Sequence, residues 1–484
     1  MHLDAENCYR AFSSRDRRFE GRFVAAVTTT GVYCRPGCPA PPPRRSNLRF
    51  YSCPAAAEEA GFRPCLRCRP DASPHTAAWS GTSATVSRAL RLISRGDLDG
   101  DGMESLAGRL GVTSRHLRRL FAEHLGASAA SIARTRRAHF ARRLIDETRL
   151  PMGEVARSSG FTSIRRFNHA IRNTFRRSPR QLRQEGAEEL PPGAGGEIAL
   201  RLPYKPPFDW AGIIRFLSDR AIPGVEAVTS NCYRRTIAAG GSAGVLEVRP
   251  ARGESFLRLR VRVPPARELL GIVERVSRIF DLGADPAPIA AHLRRDPRLA
   301  PALRLHPGLR IPGAWDPFEL AVRAVLGQQV SVRAATTLAG RLVRALGEPL
   351  EVPAGSPPLT HLFPTPAALA EADLTRTGLT RARAATIRAL AAAVREGELC
   401  FDDLGGLEDA IHRLTALPGL GDWTANYIAL RALGEPDAFL PTDLGLRRAL
   451  GRNGSPASAR QLAESAEAWR PWRGYAVMAL WMED

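Results

Sequence analysis

The clearest hydrophobic periodicity lies between residues 81 and 185, where leucine and phenylalanine recur at helical spacing in two similar blocks. Ala107, Gly111, Thr113 and Ser114 return as Ala156, Gly160, Thr162 and Ser163 at a constant offset of 49, and Leu117 and Phe121 answer to Phe167 and Ile171 at an offset of 50. Each block predicts helix, turn, helix: the glycine marks the sharp turn, and the apolar pair buries the second helix against the first. A basic helix around Ile132 to Ile145 joins the two. From about residue 197 the pattern changes. The run IALRLPYKPPFDWAGIIRFLSDRAIPGVE and the later alternation in VLEVRP and FLRLRVRV predict strands packed with helices. Beyond residue 281 the pattern is largely helical. No stretch approaches the roughly eighteen apolar residues of a membrane span, and the chain opens with Met-His-Leu-Asp where an apolar signal segment would stand.

Two composition shifts divide this pattern. The Ser/Thr/Pro stretch ASPHTAAWSGTSAT, residues 72–85, and the Glu/Pro/Gly stretch EGAEELPPGAGG, residues 185–196, read as linkers. At 484 residues the chain is long enough for about three domains.

Charge narrows the partner. The formal net charge is +20 and the pI about 10.8, which points to a polyanion or an acidic surface. Of the 69 basic residues Lys205 is the one lysine, so nearly all the charge is arginine, which suits bidentate phosphate and guanine contacts. Abundant alanine shows that genomic composition bias contributes to that excess. Between residues 81 and 185 there are 21 arginines against nine acidic residues, more than a solvated face needs. The outward faces of the second helices carry Arg115, His116, Arg118 and Arg119 in one copy and Arg165, Arg166, Asn168 and Arg172 in the other. Two helix-turn-helix units joined by a basic helix resemble the regulator domain of AraC-type proteins. That resemblance implies two recognition helices in successive major grooves of one duplex; a plain helical bundle is the alternative.

Half of the eight cysteines sit in two close pairs, Cys34 and Cys38 as C-x3-C and Cys65 and Cys68 as C-x2-C. Thiolates at such spacing fit a closed tetrahedral zinc site. Two disulfides are the alternative, but they need an oxidising compartment. The strings FVAAVTTTGVYCRPGC and GFRPCLRC resemble the amino-terminal zinc domain of Ada-type alkylation-response proteins. The resemblance implies that Cys34 takes a methyl group from a methylphosphotriester in DNA and keeps it, with one zinc both structural and nucleophile-activating. A zinc held by four thiolates carries a charge near minus two, so the sulfurs stay ionised and nucleophilic. Methylation brings the site to about minus one and weakens its repulsion of the DNA backbone. A purely structural zinc remains open, because spacing does not say which sulfur reacts.

The strings LPGLGDWTANYIAL, residues 417–430, and FLPTDLGLRRAL, residues 439–450, look like the helix-hairpin-helix and trailing aspartate of base-excision DNA glycosylases. Gly419 and Gly421 would let the backbone turn tightly and offer N–H groups to a DNA phosphate at the start of the next helix, with Thr424 alongside. Asp443 is the candidate catalytic residue, since N-glycosidic cleavage builds positive charge on the sugar and a carboxylate stabilises it or activates water. A helix N-cap is the plainer role, and the two are compatible. Residues 197–484 resemble the AlkA-type 3-methyladenine glycosylases. By that resemblance Trp423, Tyr427 and Trp481 line the base pocket, with Phe216 a further member, and aromatic faces attract electron-poor alkylated purines. Ordinary core packing is the alternative for each ring. The position resembling the family's apolar wedge residue is Gln329, in GQQVS, so the gap left by a flipped base would be filled by a polar side chain.

Two absences narrow the reaction. Strand-cutting relatives form a Schiff base through a lysine, typically where this chain has Trp423, and Lys205 lies in another segment. No cysteine follows Cys400, so the four-cysteine iron–sulfur cluster of many such nucleases has no ligands. Nor is there a Pro-Cys-His-Arg string for a second methyltransferase domain.

The expected fold is multidomain and mainly α with α+β parts: a small zinc-binding α/β module (1–76), an all-α double helix-turn-helix domain (82–185), an α+β subdomain (197–281) and a helix-hairpin-helix domain (282–484). The expected function is a fused methylphosphotriester sensor, transcriptional regulator and monofunctional glycosylase for bases such as 3-methyladenine. Its partners would be double-stranded DNA, damaged and promoter, and RNA polymerase, with no membrane. The expected state is a monomer in the cytoplasm, associated with the nucleoid. Two alternatives stay open: a regulator with an inactive glycosylase fold, and a repair enzyme whose front modules only add DNA affinity.

Overall fold

The computed structural model describes residues 4–70, 84–185 and 197–482, apart from 17–18, 69, 96–97, 99–101, 240, 263–267, 351–358, 405 and 452–454. Nearly all of both expected linkers lies outside the described residues. The first ends two residues earlier than expected, because Ala84 and Thr85 already open an amphipathic helix. The chain divides into two compact units, Met1–Tyr204 with Pro264–Glu274, and Lys205–Val263 with Arg275–Asp484. Among the described residues no helix is long and apolar enough to cross a membrane.

The first unit opens with α1 (Ala5–Ser13), started by the Asp4 carboxylate, which accepts from the amides of Glu6 and Asn7. A four-stranded sheet follows in the order β3-β1-β2-β4, from β1 (Val24–Val27), β2 (Val32–Cys34), β3 (Leu48–Tyr51) and β4 (Arg63–Pro64). Strand β1 is buried along its length and pairs antiparallel with β2 and β3, while β4 adds to β2 in parallel. Helix α2 (Pro54–Glu59) packs its three alanines inward.

Seven helices follow in this unit: α3 (Ala84–Arg95), α4 (Gly102–Arg109), α5 (Ser114–Leu125), α6 (Ala129–Glu147), α7 (Met152–Ser158), α8 (Ile164–Phe175) and α9 (Pro179–Glu185). Both copies of the repeat form helix, turn, helix, with Leu117, Phe121, Phe167 and Ile171 fully buried. The change of offset has a local cause. Thr113 caps α5 by accepting from the amide of His116, two residues after the turn glycine Gly111, whereas Ser163 caps α8 by accepting from the amide of Arg166, three residues after Gly160. One extra residue in the second turn moves the cap and everything after it by one. The connecting helix α6 is less outwardly basic than its composition suggests, because Arg142 and His139 are buried and Arg142 donates to Asp146 at 2.8 Å.

The second unit holds an antiparallel meander, Glu226–Thr229, Cys232–Ala239, Ser242–Pro250 and Phe256–Arg262. In the last strand Leu257, Leu259 and Val261 face inward while the arginines between them face out, as the alternation predicts. The helices after it gather around two apolar clusters, one containing Val322, Ile387, Leu414 and Ile428, the other Leu293, Leu430, Trp469 and Met478. Tyr427 packs against both, which puts the hairpin's second helix, Asp422–Ile428, at their seam.

Candidate metal centre and candidate active site

Parallel pairing of β2 with β4 sets Val32 opposite Arg63 and Tyr33 opposite Pro64, so the next residues, Cys34 and Cys65, leave the two strands side by side. A backbone bond from the amide of Cys65 to the carbonyl of Tyr33, 2.9 Å, continues the register, and a turn closed from Cys38 to Arg35 brings in the third thiol. With Cys68 the four sulfurs lie within 4.8 Å of one another. Cys34, Cys38 and Cys68 are buried. Hydrogen bonding among the sulfurs drives their proton affinities apart, Cys34 upward through Cys38 first and Cys65 downward through Cys34 first. A compact, buried S4 set of this size fits zinc, whose sulfur ligands sit at about 2.3 Å from the metal.

Behind the cysteines lies a polar cluster for which the sequence holds no signal. The hydroxyl of the buried Tyr33 donates to Glu58 at 2.9 Å and lies 3.2 Å from Nε2 of His139. His139 and Thr135, both on α6, reach the two oxygens of Glu58 at 2.8 and 2.7 Å. Burial alone would raise the Glu58 carboxyl, but His139, Thr135 and Tyr33 outweigh it and hold the group below the ordinary glutamate value. Around this cluster Ser52 donates to the carbonyl of Leu125 at 2.7 Å, and Glu59 accepts from both the amide and the hydroxyl of Ser128. The strand that carries Cys34 is thereby tied to the helix joining the two helix-turn-helix repeats.

On α5 and α8, Arg115, Arg118, Arg119, Arg165, Arg166 and Arg172 are all exposed, with His116 and Asn168 partly so. Arg118 has a loose, exposed pairing with Glu104 at 3.7 Å, worth little in water.

In the second unit the hairpin runs from the helix Leu407–Thr415 through Gly419 to the helix Asp422–Ile428, which continues as a π turn, Ala429–Leu433. Gly419 has φ +83°, and a side chain there would meet Thr386 at 2.0 Å; Gly421 has φ −94° and open space around it. The two glycines are therefore not equivalent. Trp423 and Tyr427, one helical turn apart, stack at 5.2 Å and 11°, and Trp481 approaches Tyr427 at 6.1 Å. Phe216 stacks on Trp481 at 6.4 Å but is itself buried beneath guanidinium groups, with Arg220 3.7 Å over its ring.

Asp443 sits at the edge of these rings. Trp423 donates its indole N–H to Oδ2 at 2.9 Å, Trp481 donates to Oδ1 at 3.2 Å, and the amide of Leu446 donates to Oδ1 at 3.0 Å, so the carboxylate caps the helix Leu444–Ala449 and faces the aromatic group at once.

Gln329 is exposed and held at φ +55°, in the left-handed region that non-glycine residues rarely occupy. Its neighbour Gln328 donates from one amide to the carbonyl of Gly419 and to the hydroxyl of Thr424, each at 3.0 Å. Thr424 is buried, so its side chain serves this tie instead of facing solvent. Lys205 is buried and paired with Asp285 at 2.9 Å.

Four family models match successive parts of the chain. Residues 7–71 match the metal binding domain of Ada, residues 106–185 a helix-turn-helix domain, residues 199–316 the AlkA N-terminal domain, and residues 322–473 the HhH-GPD superfamily of base excision DNA repair proteins. A Mycobacterium tuberculosis protein named as a probable bifunctional transcriptional activator/DNA repair enzyme AlkA is 45% identical over 483 residues, 99% of this chain and 97% of that one. The Escherichia coli DNA-3-methyladenine glycosylase 2 is 38% identical over 289 residues, covering 58% of this chain and 96% of the other. Among solved structures, a 3-methyladenine DNA glycosylase from Archaeoglobus fulgidus superposes with a TM-score of 0.50 at 25% identity, over 58% of this chain and 97% of that one.

Proposed function

This chain belongs to the family of the bifunctional AlkA-type transcriptional activator/DNA repair enzymes, and from that premise we propose that it records DNA methylation at Cys34, regulates promoters through its two helix-turn-helix units, and removes alkylated bases through Asp443. The observation that carries the reading is the fixing of Asp443 by two indoles of the aromatic cluster, because it joins a carboxylate to a surface that binds a flat, electron-poor ring.

In the first unit Cys34, Cys38, Cys65 and Cys68 would hold one zinc ion, whose charge keeps sulfur ionised at neutral pH. The Sγ of Cys34 attacks the methyl carbon of a methylphosphotriester; the S–C bond forms, the C–O bond breaks, and the phosphate leaves as an anionic diester. Cys34 becomes a neutral thioether. The cluster loses one negative charge, which lowers its repulsion of the DNA backbone and raises affinity, most strongly at low salt. The exposed arginines of α5 and α8 meet the duplex, and the protein acts at promoters as a monomer with RNA polymerase as its partner.

In the second unit the hairpin around Gly419 and Gly421 grips the backbone, Gln329 fills the space of the extruded nucleotide, and the aromatic rings hold the base. A cationic alkylbase is a good leaving group, so a single carboxylate suffices: Asp443 faces the developing oxocarbenium ion while water adds to the sugar. Lys205, the one lysine of the chain, is buried against Asp285 and lies outside the hairpin, so the hairpin brings no lysine amine to form a Schiff base and the strand stays uncut. The test is incubation with methylated DNA, followed by mass spectrometry of the protein and assay of released bases. One methyl on Cys34, free 3-methyladenine and intact abasic strands are expected; a methyl on Cys65 or Cys68, or efficient borohydride trapping, would overturn the assignment.

A further inference from the structure

Three arginines of the second unit gather around Phe216 and Tyr427. Arg431, in the π turn Ala429–Leu433, is 4% exposed, and its guanidinium lies 4.6 Å from the ring centre of Phe216 and 5.7 Å from that of Tyr427. Its acceptors are all neutral: the carbonyls of Pro312 and Gly313, and the hydroxyl of Tyr427 at 2.9 Å. Arg220 covers Phe216 at 3.7 Å, and Arg323 donates to the carbonyl of Arg220. The acidic neighbour is Glu226, 4.0 Å from Arg323 and already shared with Arg235 at 3.7 Å. Burial pushes the Arg431 guanidinium down to about 10, with Arg220 and Arg323 adding to the effect and Tyr427 and Glu226 opposing it. Even so it carries its charge at neutral pH. Burial would raise the Tyr427 phenol, but Arg431, Arg220 and Arg323 outweigh it and hold the phenol below its ordinary value.

A positive charge over an aromatic ring draws on the same quadrupole that would attract a cationic base, and it repels that base through space. We propose that Arg431, backed by Arg220, is a specificity-determining residue: the guanidiniums offset the pull of the rings on cationic alkylbases and so set the ratio in which cationic and neutral modified bases are released. The inference rests on the glycosylase reading of the cleft. Arg431 acts through Phe216 and Tyr427, so it is a positioning and tuning residue.

The experiment compares single-turnover release of 7-methylguanine, cationic as the nucleoside, with release of hypoxanthine, neutral, from otherwise identical duplexes by the full chain. Arg431→Gln should shift the ratio of the two rates towards the cationic base by about tenfold, as loss of one nearby charge in a partly screened site implies. Arg431→Lys, which keeps the charge, should shift it much less, and Arg220→Gln should move it in the same direction as Arg431→Gln. A merely structural role would slow both reactions together and leave the ratio alone. If Arg431→Gln fails to fold, the half-buried Arg220 decides through its own variant. Ratios within twofold of wild type, or shifted towards the neutral base, overturn the inference while leaving the enzyme assignment intact. Wild-type protein that releases neither base overturns both.

Discussion

Trp423 and Asp443, 20 residues apart, meet through an indole N–H donated to the carboxylate at 2.9 Å. The ring stacked on Tyr427 and the candidate catalytic group thus orient one another, and Trp481 clamps the second oxygen. A displaced Trp423 would release Asp443 as well as open the cleft.

Two substitutions separate these roles. Asp443→Asn keeps size and loses charge, and release of 3-methyladenine should drop about a hundredfold or more if the electrostatic effect is a few kcal/mol. Trp423→Phe keeps a stacking ring and removes the donor, and about a tenfold loss is expected. Because both act through one contact, the double variant should lose less than the product of the two. Near-normal excision by the Asn variant would show that Asp443 is not the catalytic group.

The zinc centre lies in a separate compact unit from Asp443, so the two chemistries should fail independently. Cys34→Ala is expected to abolish methyl uptake and to leave base release at the wild-type rate. Stripping zinc with a chelator should do the same, and also loosen the sheet whose strands end in the ligands. Loss of excision in either experiment would show that the two chemistries are not independent.

Glu58 is the expected weak point between the sheet and α6. Its carboxyl lies below the ordinary glutamate value of 4.5, so its contribution to stability is fully present above that pH and fades as pH falls through its lower folded value. Glu58→Gln leaves acceptors from one oxygen only and should cost about 1–3 kcal/mol at neutral pH. Hydrogen exchange would report it as faster exchange in α2 and α6 with zinc retained. Unchanged protection in those helices would remove the cluster as a tie.

Those features were legible in unequal measure. The four cysteines declare themselves because ligand spacing is a local property, and the repeat because its caps and turn glycines recur within a few residues of one another. Even the single-residue slip in offset is a turn made visible in sequence. Glu58 and His139 are different: they are 81 positions apart, and neither belongs to a local pattern. Arg431 likewise reads as one arginine among 69 basic residues, and only packing reveals that it lies under two rings. Arg142 shows the converse, counted with a basic surface by composition and buried by the fold.

Gly419 and Gly421 look alike in the string LPGLGDW, yet their surroundings divide them. A β-carbon at Gly419 would fall 2.0 Å from the hydroxyl of Thr386, on a backbone at φ +83° that disfavours any side chain. Gly419→Ala should therefore cost about 2 kcal/mol or more of stability, from the left-handed conformation and the clash together. It should also disturb Gln328, which donates to the Gly419 carbonyl beside Gln329. Gly421→Ala meets no atom within 4 Å and has an ordinary φ, so the free protein should melt as the wild type does. If the Gly421 backbone approaches a phosphate, the added methyl group will still weaken binding to an abasic-site duplex. Equal melting of both variants would contradict the packing at Gly419, and unchanged DNA affinity of Gly421→Ala would remove that glycine from the DNA contact.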